Sequence, residues 1–189
     1  MTADTNPTAQ QPNAWWIVLL VGIGVLTGVG LLLGEGFPGE ITATAPTTVV
    51  GIATLGYLAA AVIGIRWMAW AWAGIGTVLV FAAEAVDLSR WIVIALVGLV
   101  LVVIGLARRP RVTLPQAVAM LVYFGIGVAT LLLAPRLGLA VAGGALIAHA
   151  GWDFVHYRRD IVVNRSLALW CLGLDVFVGG ACVMLAVLG

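Results

Sequence analysis

The chain of 189 residues is too apolar for a water-soluble protein, because 63% of its residues are hydrophobic, 9% are charged and the mean hydropathy is +1.16. A soluble domain carries about 25% charged residues, and a globule of this length cannot bury so much apolar surface. We therefore expect a lipid bilayer to cover the remainder. The net charge of +1 lacks the basic excess that a nucleic-acid partner requires, so no such partner is expected.

The first thirteen residues are polar and contain an aspartate but no arginine. A secretory signal peptide begins with a positively charged region, which this segment lacks. Residues 1–13 are therefore predicted to be a disordered tail, and residues 14–189 a single transmembrane domain.

Seven apolar stretches follow, each long enough to cross a bilayer as an α-helix. Glycine and proline separate most of them. The boundary at Arg66 leaves almost no loop, and if Arg66 lies within one bent helix the number of spans falls to six. The sequence thus predicts an all-α polytopic bundle, with seven helices favoured over six. The predicted spans are 14–33, 47–65, 67–86, 91–107, 114–133, 137–157 and 166–188.

The arginine distribution predicts the orientation, because loops on the cytoplasmic side carry an excess of positive residues. With a cytoplasmic N-terminus, seven arginines lie in inside loops and two in outside loops. This bias favours a multi-pass protein of the cell membrane with its N-terminus in the cytoplasm. The oligomeric state and any partner membrane subunit are left open by the sequence.

Ionisable residues recur along one face of the sixth predicted span. His149, Asp153 and His156 are spaced i, i+4 and i+7, within about 60° of arc on a helix, and Asp160 continues this stripe. Asp175 lies at a similar depth on the next span. Because helices joined by a short loop pack as neighbours, we expect Asp175 to face His149.

Cys171, one turn before Asp175, is expected on the same basis to face Asp153. Tyr57 and Tyr123 fall near the midplane of their spans, where their side chains are candidates to line the same cavity. Near the outer end of the third span, Glu84 and Asp87 are expected to form an interfacial cluster with Arg90.

Each charged residue at the centre of a membrane helix costs about 2.5–3.5 kcal/mol on insertion scales, so a polar seam in this chain favours a function. Two imidazoles and carboxylates are typical ligands of Zn²⁺ or Fe²⁺. In this interpretation the metal ligands are His149, Asp153, His156 and Asp175, with Asp153 either a ligand or a carboxylate that orients an imidazole.

Two other interpretations remain open. Chains of aspartate and histidine within membranes also form proton or cation relays, and polar pairs between helices can serve packing alone. A retinal protein is excluded on different grounds, because its Schiff base requires a lysine amine and the chain has no lysine.

The segment from His149 to His156 reads H-A-G-W-D-F-V-H and is followed by Ser166, Cys171 and Asp175. It resembles the H-x-G-W-D-x-x-H core of certain small uncharacterised bacterial polytopic membrane proteins. The match is limited to residues 149–175. The resemblance implies that the histidines and aspartates, with Trp152 and Cys171, belong to one shared site.

Overall fold

The computed structural model describes residues 13–36 and 41–188, and these residues form seven α-helices and no β-strand. All seven helices are long and apolar enough to cross a membrane, so the chain is a multi-pass helical membrane protein. Residues 1–12, in the predicted tail, lie outside the described part. The helices are α1 (Ala14–Gly34), α2 (Thr44–Ile63), α3 (Met68–Ala85), α4 (Arg90–Arg108), α5 (Pro110–Thr130), α6 (Pro135–Arg159) and α7 (Arg165–Leu188).

The boundary between α2 and α3 decides between six and seven spans. Gly64 adopts the left-handed conformation (φ 79°) and its N–H donates to the Ala60 carbonyl at 2.8 Å, which is how many helices end. Arg66 therefore lies in a turn, and the seven-helix prediction is confirmed. Helix α5 begins four residues earlier than predicted, since Pro110 and the residues after it are compatible with a first helical turn.

Helix α2 lies at the centre of the bundle and packs against α3, α4, α5, α6 and α7. Fifteen of its 20 residues are buried, whereas four of the 21 residues of α1 are buried. Helix α1 lies at the edge and packs mainly on α7. The central place of α2 brings Tyr57 to the middle of the protein.

Helices α6 and α7 approach each other most closely at two glycines. A Cβ on Gly143 would lie 2.8 Å from the Gly179 carbonyl oxygen, and a Cβ on Gly179 would lie 2.6 Å from that of Gly143. Small residues allow such backbone contact in lipid. Gly179 is one turn from Asp175, so this contact holds the two helices close where the predicted site lies. The neighbouring Gly144 has no atom within 4 Å of its Cβ position.

A second packing region joins α2 to α3, α4 and α5 around a set of buried apolar side chains. Its buried members are Leu55, Leu58, Ala59, Val62, Val80, Ile94, Leu101, Met120 and Phe124. We call this set the apolar cluster. At the end of the bundle that holds the α3–α4 turn, Arg90 forms an ion pair with Glu84 and donates to Thr48 Oγ1, in agreement with the predicted interfacial cluster.

Candidate metal site between helices α6 and α7

The three α6 residues of the predicted site all point into the protein. His149 and Asp153 have no exposed surface and His156 is 2% exposed, as their spacing on one helical face predicts. On α7, Asp175 is also completely buried. All four side chains are therefore shielded from lipid, as a polar site within a membrane requires.

His149, Asp153 and Asp175 form one compact group. The Nδ1 atom of His149 lies 2.7 Å from Asp175 Oδ2 and 3.7 Å from Asp153 Oδ2. Each residue offers one ligand atom within 4.8 Å of the other two. The prediction that Asp175 faces His149 is confirmed. The three residues are called the His–Asp group below.

Each member of the His–Asp group has a buried polar atom without a hydrogen-bond partner among the described residues. These atoms are His149 Nε2, Asp153 Oδ2 and Asp175 Oδ1. Leaving such an atom unpaired costs about 1–3 kcal/mol, and more when the group is charged. Three of them in one place point to a missing cation, proton or water that completes the group.

Tyr57 connects the His–Asp group to the second histidine. Its hydroxyl donates a hydrogen bond of 2.6 Å to Asp153 Oδ1. Its ring stands edge-on to His149 and His156, with centroids 5.8 and 4.8 Å away. Tyr123 contacts the other side of His149 at 5.2 Å, while its hydroxyl donates to the Ala148 carbonyl at 3.4 Å. Both tyrosines therefore line the site, as their depth suggested.

His156 lies outside the His–Asp group, although the sequence placed it among the ligands. Its Nε2 is 3.2 Å from the amide nitrogen of Gln116, and its Nδ1 is 2.9 Å from the Trp152 carbonyl oxygen. Because the amide nitrogen donates and the carbonyl accepts, the ring carries its proton on Nδ1. Both ring nitrogens are thus engaged away from the His–Asp group.

Gln116 was not among the predicted site residues. It lies one residue after Pro115, near the predicted start of its span, where a polar residue ordinarily faces the membrane surface. The residue is nevertheless 3% exposed and contacts His156. The one signal in the sequence was an amide side chain within an otherwise apolar stretch, which indicates a polar contact inside the protein.

The remaining predicted site residues divide into two sets. Trp152 packs on His156 with ring centroids 4.7 Å apart, and Cys171 is buried in a cluster that includes Tyr57. Asp160 does not continue the buried stripe, because α6 ends at Arg159 and Asp160 turns away in the left-handed conformation (φ 52°).

Asp160 instead forms an ion pair with Arg66, and Arg165 lies 3.3 Å from the same oxygen. The hydrogen bond from Arg66 lowers the pKa of the Asp160 carboxyl. Arg66 also donates to the Val163 carbonyl at 2.8 Å. This network joins the α2–α3 turn to the α6–α7 turn at the membrane surface, separate from the buried site.

Two cavities flank the site. An apolar cavity of about 230 Å³ lies among α1, α2, α3 and α7 and reaches Asp175 and Cys171. A second, of about 530 Å³, lies at the end of the bundle that carries the α2–α3, α4–α5 and α6–α7 turns, and reaches His156 and Gln116. We call this end the arginine-rich end.

Comparison with known proteins adds no relative. No protein-family model matches the chain, and no curated protein or solved structure is significantly similar to it. The resemblance of residues 149–175 to the H-x-G-W-D-x-x-H proteins therefore stays a prediction. The chain is therefore assigned to the class of helical membrane proteins. Its described residues form seven helices and bury a His–Asp group that could hold a metal ion.

Proposed function

We propose that the His–Asp group binds one divalent transition metal ion, Zn²⁺ or Fe²⁺, inside the membrane. The observation that carries this proposal is the set of three buried side chains, each with a ligand atom near the other two and a polar atom without a hydrogen-bond partner among the described residues. Imidazole nitrogen and carboxylate oxygen are ligands that both ions accept. His156 is not required in this proposal.

Charge balance supports a divalent ion. Asp153 and Asp175 are both fully buried, and two carboxylates in a dry interior are stable only when cations compensate them. A divalent ion with one neutral imidazole and two carboxylates forms a group of zero net charge. Without a metal ion, a net charge of zero requires two additional protons bound to the His–Asp group.

The distances also suit a metal. For ligand bonds of about 2.0–2.1 Å, two atoms of a tetrahedral zinc site lie roughly 3.3 Å apart. The distances from His149 Nδ1 to Asp175 and Asp153 are 2.7 and 3.7 Å, one shorter and one longer than that value. Side-chain movements of about half an ångström on each side are therefore enough to admit the ion.

Three protein ligands are the number that catalytic zinc sites use, with water or substrate in the fourth position. A metal ion held by His149, Asp153 and Asp175 would supply activation of a water molecule, and we propose on this basis that the protein is a membrane metalloenzyme of the hydrolytic class. Tyr57, bonded to Asp153, orients that carboxylate. The cavity that reaches Asp175 offers an apolar approach from the membrane interior.

Metal analysis of the purified protein tests the proposal. We expect about one equivalent of Zn or Fe in the wild type and almost none in the variant Asp153→Asn/Asp175→Asn, which removes two ligand charges while keeping the side-chain shape. His156→Gln is the matched control, because this buried histidine lies on the same helix but outside the group, and it should retain the metal. A folded wild type without stoichiometric metal contradicts the proposal.

A second candidate function is a proton or cation relay. It is supported by the row of polar contacts that runs from Asp175 through His149 to Asp153 and Tyr57, and by the ring contact of Tyr57 with His156 at the second cavity. This candidate predicts a flux driven by a pH gradient in proteoliposomes that Asp175→Asn abolishes. Equal flux in that variant excludes a relay through Asp175.

The proposed location is the cell membrane, with the arginine-rich end facing the cytoplasm. The excess of arginine in the turns at that end supports this orientation. An N-terminal epitope tag tests it: in intact cells the tag should resist added protease, and digestion of the tag there contradicts the orientation.

A further inference from the structure

The cavity at the arginine-rich end has the features of an anion site. Among the described residues, its walls carry four arginines and no aspartate or glutamate; the arginines are Arg66, Arg109, Arg111 and Arg159. Its volume of about 530 Å³ lies within the range of small-molecule sites. The rest of the lining is largely apolar, and Arg109, Arg111 and Arg159 are themselves exposed, so a charged group can reach their guanidinium groups.

Two of the four arginines already have protein partners. Arg66 is bound to Asp160 and to the Val163 carbonyl. Arg109 donates to the Ala61 carbonyl at 3.3 Å, where it covers the C-terminal end of α2. These contacts hold both guanidinium groups at the cavity wall and leave some of their N–H groups for another acceptor.

The other two arginines have no such partner. Within residues 13–36 and 41–188, neither Arg111 nor Arg159 takes part in a hydrogen bond or ion pair. Each guanidinium presents five N–H donors in a planar fork that matches the oxygens of a phosphate group. Arg111 at the start of α5 and Arg159 at the end of α6 thus bring two unused forks to one cavity.

The inner part of the cavity supplies an independent sign of a ligand. Gln116 is 3% exposed, and its Oε1 atom has no partner in the described part of the chain. The Nε1–H of Trp152, another lining residue, is also unpartnered. The Trp152 N–H is a donor that suits a phosphate oxygen, whereas Gln116 Oε1 is an acceptor that water or a protonated phosphate oxygen would satisfy.

We propose that this cavity binds a phosphate group, held by Arg111 and Arg159 and by the remaining donors of Arg66 and Arg109. The ligand is either the phosphate of an anionic lipid headgroup or a free phosphate, since both present the same oxygens to the forks. The site is distinct from the His–Asp group, and its occupancy does not depend on a metal there.

Native mass spectrometry of the delipidated full chain in detergent tests the proposal, with phosphatidic acid and phosphatidylcholine as probes. We expect phosphatidic acid to bind at least about tenfold more tightly than phosphatidylcholine, because charge-assisted bidentate contacts require exposed phosphate oxygens. Excess inorganic phosphate then shows whether the site binds free phosphate or requires a lipid headgroup. Competition identifies a site for phosphate itself, and its absence identifies a site that requires the lipid.

The chain offers a matched pair of variants. Arg111→Gln/Arg159→Gln removes two charges from the cavity wall, whereas Arg108→Gln/Arg158→Gln removes two charges from neighbouring positions that do not line it. The first is expected to weaken phosphatidic acid binding at least about tenfold, and the second less than about twofold. Equal losses in the two variants, or no preference for phosphatidic acid in the wild type, overturn the proposal.

Folding of the variants is checked by thermal unfolding. If Arg111→Gln/Arg159→Gln does not fold, Arg111→Lys/Arg159→Lys replaces it, because lysine keeps the charge and loses the planar fork. This variant is expected to bind phosphatidic acid about threefold or more weakly than the wild type. Unchanged binding by the lysine variant likewise overturns a site built on guanidinium forks.

Discussion

The two packing regions on either side of α2 differ in the polar groups that they bury, although one hydroxyl beside the apolar cluster, that of Thr113, also has no hydrogen-bond partner among the described residues. In the region of the apolar cluster, hydroxyl groups bond to nearby backbone: Thr54 donates to the Val50 carbonyl at 2.8 Å, and Thr47 and Thr130 both donate to the Gly127 carbonyl. Between α6 and α7, by contrast, an imidazole and two carboxylates are buried with atoms left unpaired.

From this difference we infer that the apolar cluster serves the stability of the bundle, whereas the His–Asp group serves its function. Membrane helices pack well through small and apolar residues, because lipid penalises polar atoms that lack partners. The apolar cluster shows that this chain builds such an interface without ionisable groups. A polar interface that leaves atoms unpaired gains nothing over it in packing, and this is why we propose a ligand for the His–Asp group.

The largest effect is expected for a substitution at Gly143, where α6 contacts the backbone of α7 near the site. Gly143→Leu places a side chain against the α7 backbone and should lower the free energy of unfolding by about 3 kcal/mol, because the backbone cannot move aside. It should also abolish metal binding by separating His149 from Asp175. Gly144→Leu is the control, as its Cβ position is open. Thermal unfolding and metal content are measured for both, and equal behaviour would show that the glycine contact does not position the site.

Next in size is a change within the apolar cluster. Phe124→Ala should lower the free energy of unfolding by about 3 kcal/mol, the lower end of the range for such a cavity, while metal content stays at the wild-type value. Phe81→Ala is the control, because Phe81 is 66% exposed on the lipid-facing surface. Reversible unfolding in detergent measures the difference. Loss of metal in folded Phe124→Ala would mean that the two regions are not independent.

A smaller effect is expected for Tyr57→Phe, which removes the hydrogen bond to Asp153 and keeps the ring. Partners of metal ligands typically change affinity by about 10–100-fold, and we expect the lower end of this range because one contact is lost. Competition with a chelator of known affinity gives the metal dissociation constant. An unchanged constant would show that Tyr57 serves packing rather than ligand orientation.

The smallest effect is expected for Asp160→Asn at the membrane surface. The hydrogen bond from Arg66 lowers the pKa of Asp160, so the folded state favours the ionised form. The resulting stability is present above the ordinary pKa of about 3.9 and is lost as pH falls through the lowered value. Because the pair is 40% exposed, the loss should be about 1 kcal/mol or less at pH 7.

Melting temperatures of the wild type and Asp160→Asn, measured between pH 3 and 8, check the sign: the difference should be constant above about pH 5 and shrink below about pH 4. A difference that grows on acidification would contradict the assignment.

The site was predictable in part from the sequence. The i, i+4, i+7 spacing placed His149, Asp153 and His156 on one face, and chain connectivity placed Asp175 opposite His149. The role of His156 was not predictable, because its partner Gln116 comes from α5, which is distant in sequence. The sequence also did not predict that Asp160 turns away from the stripe, because the position where a helix ends depends on contacts such as those of Arg66.

The sequence by itself predicted a helical membrane protein and favoured seven spans over six, because helix length and apolarity follow from the thickness of the bilayer and need no tertiary contact. The left-handed conformation of Gly64, seen only in the structure, decided between the two numbers. The sequence also determined which face of α6 carries ionisable groups, since helical periodicity is local. Only the tertiary structure decided which of these groups meet. Distances between side chains on different helices depend on helix separation, and that separation is set by contacts such as the one between Gly143 and Gly179.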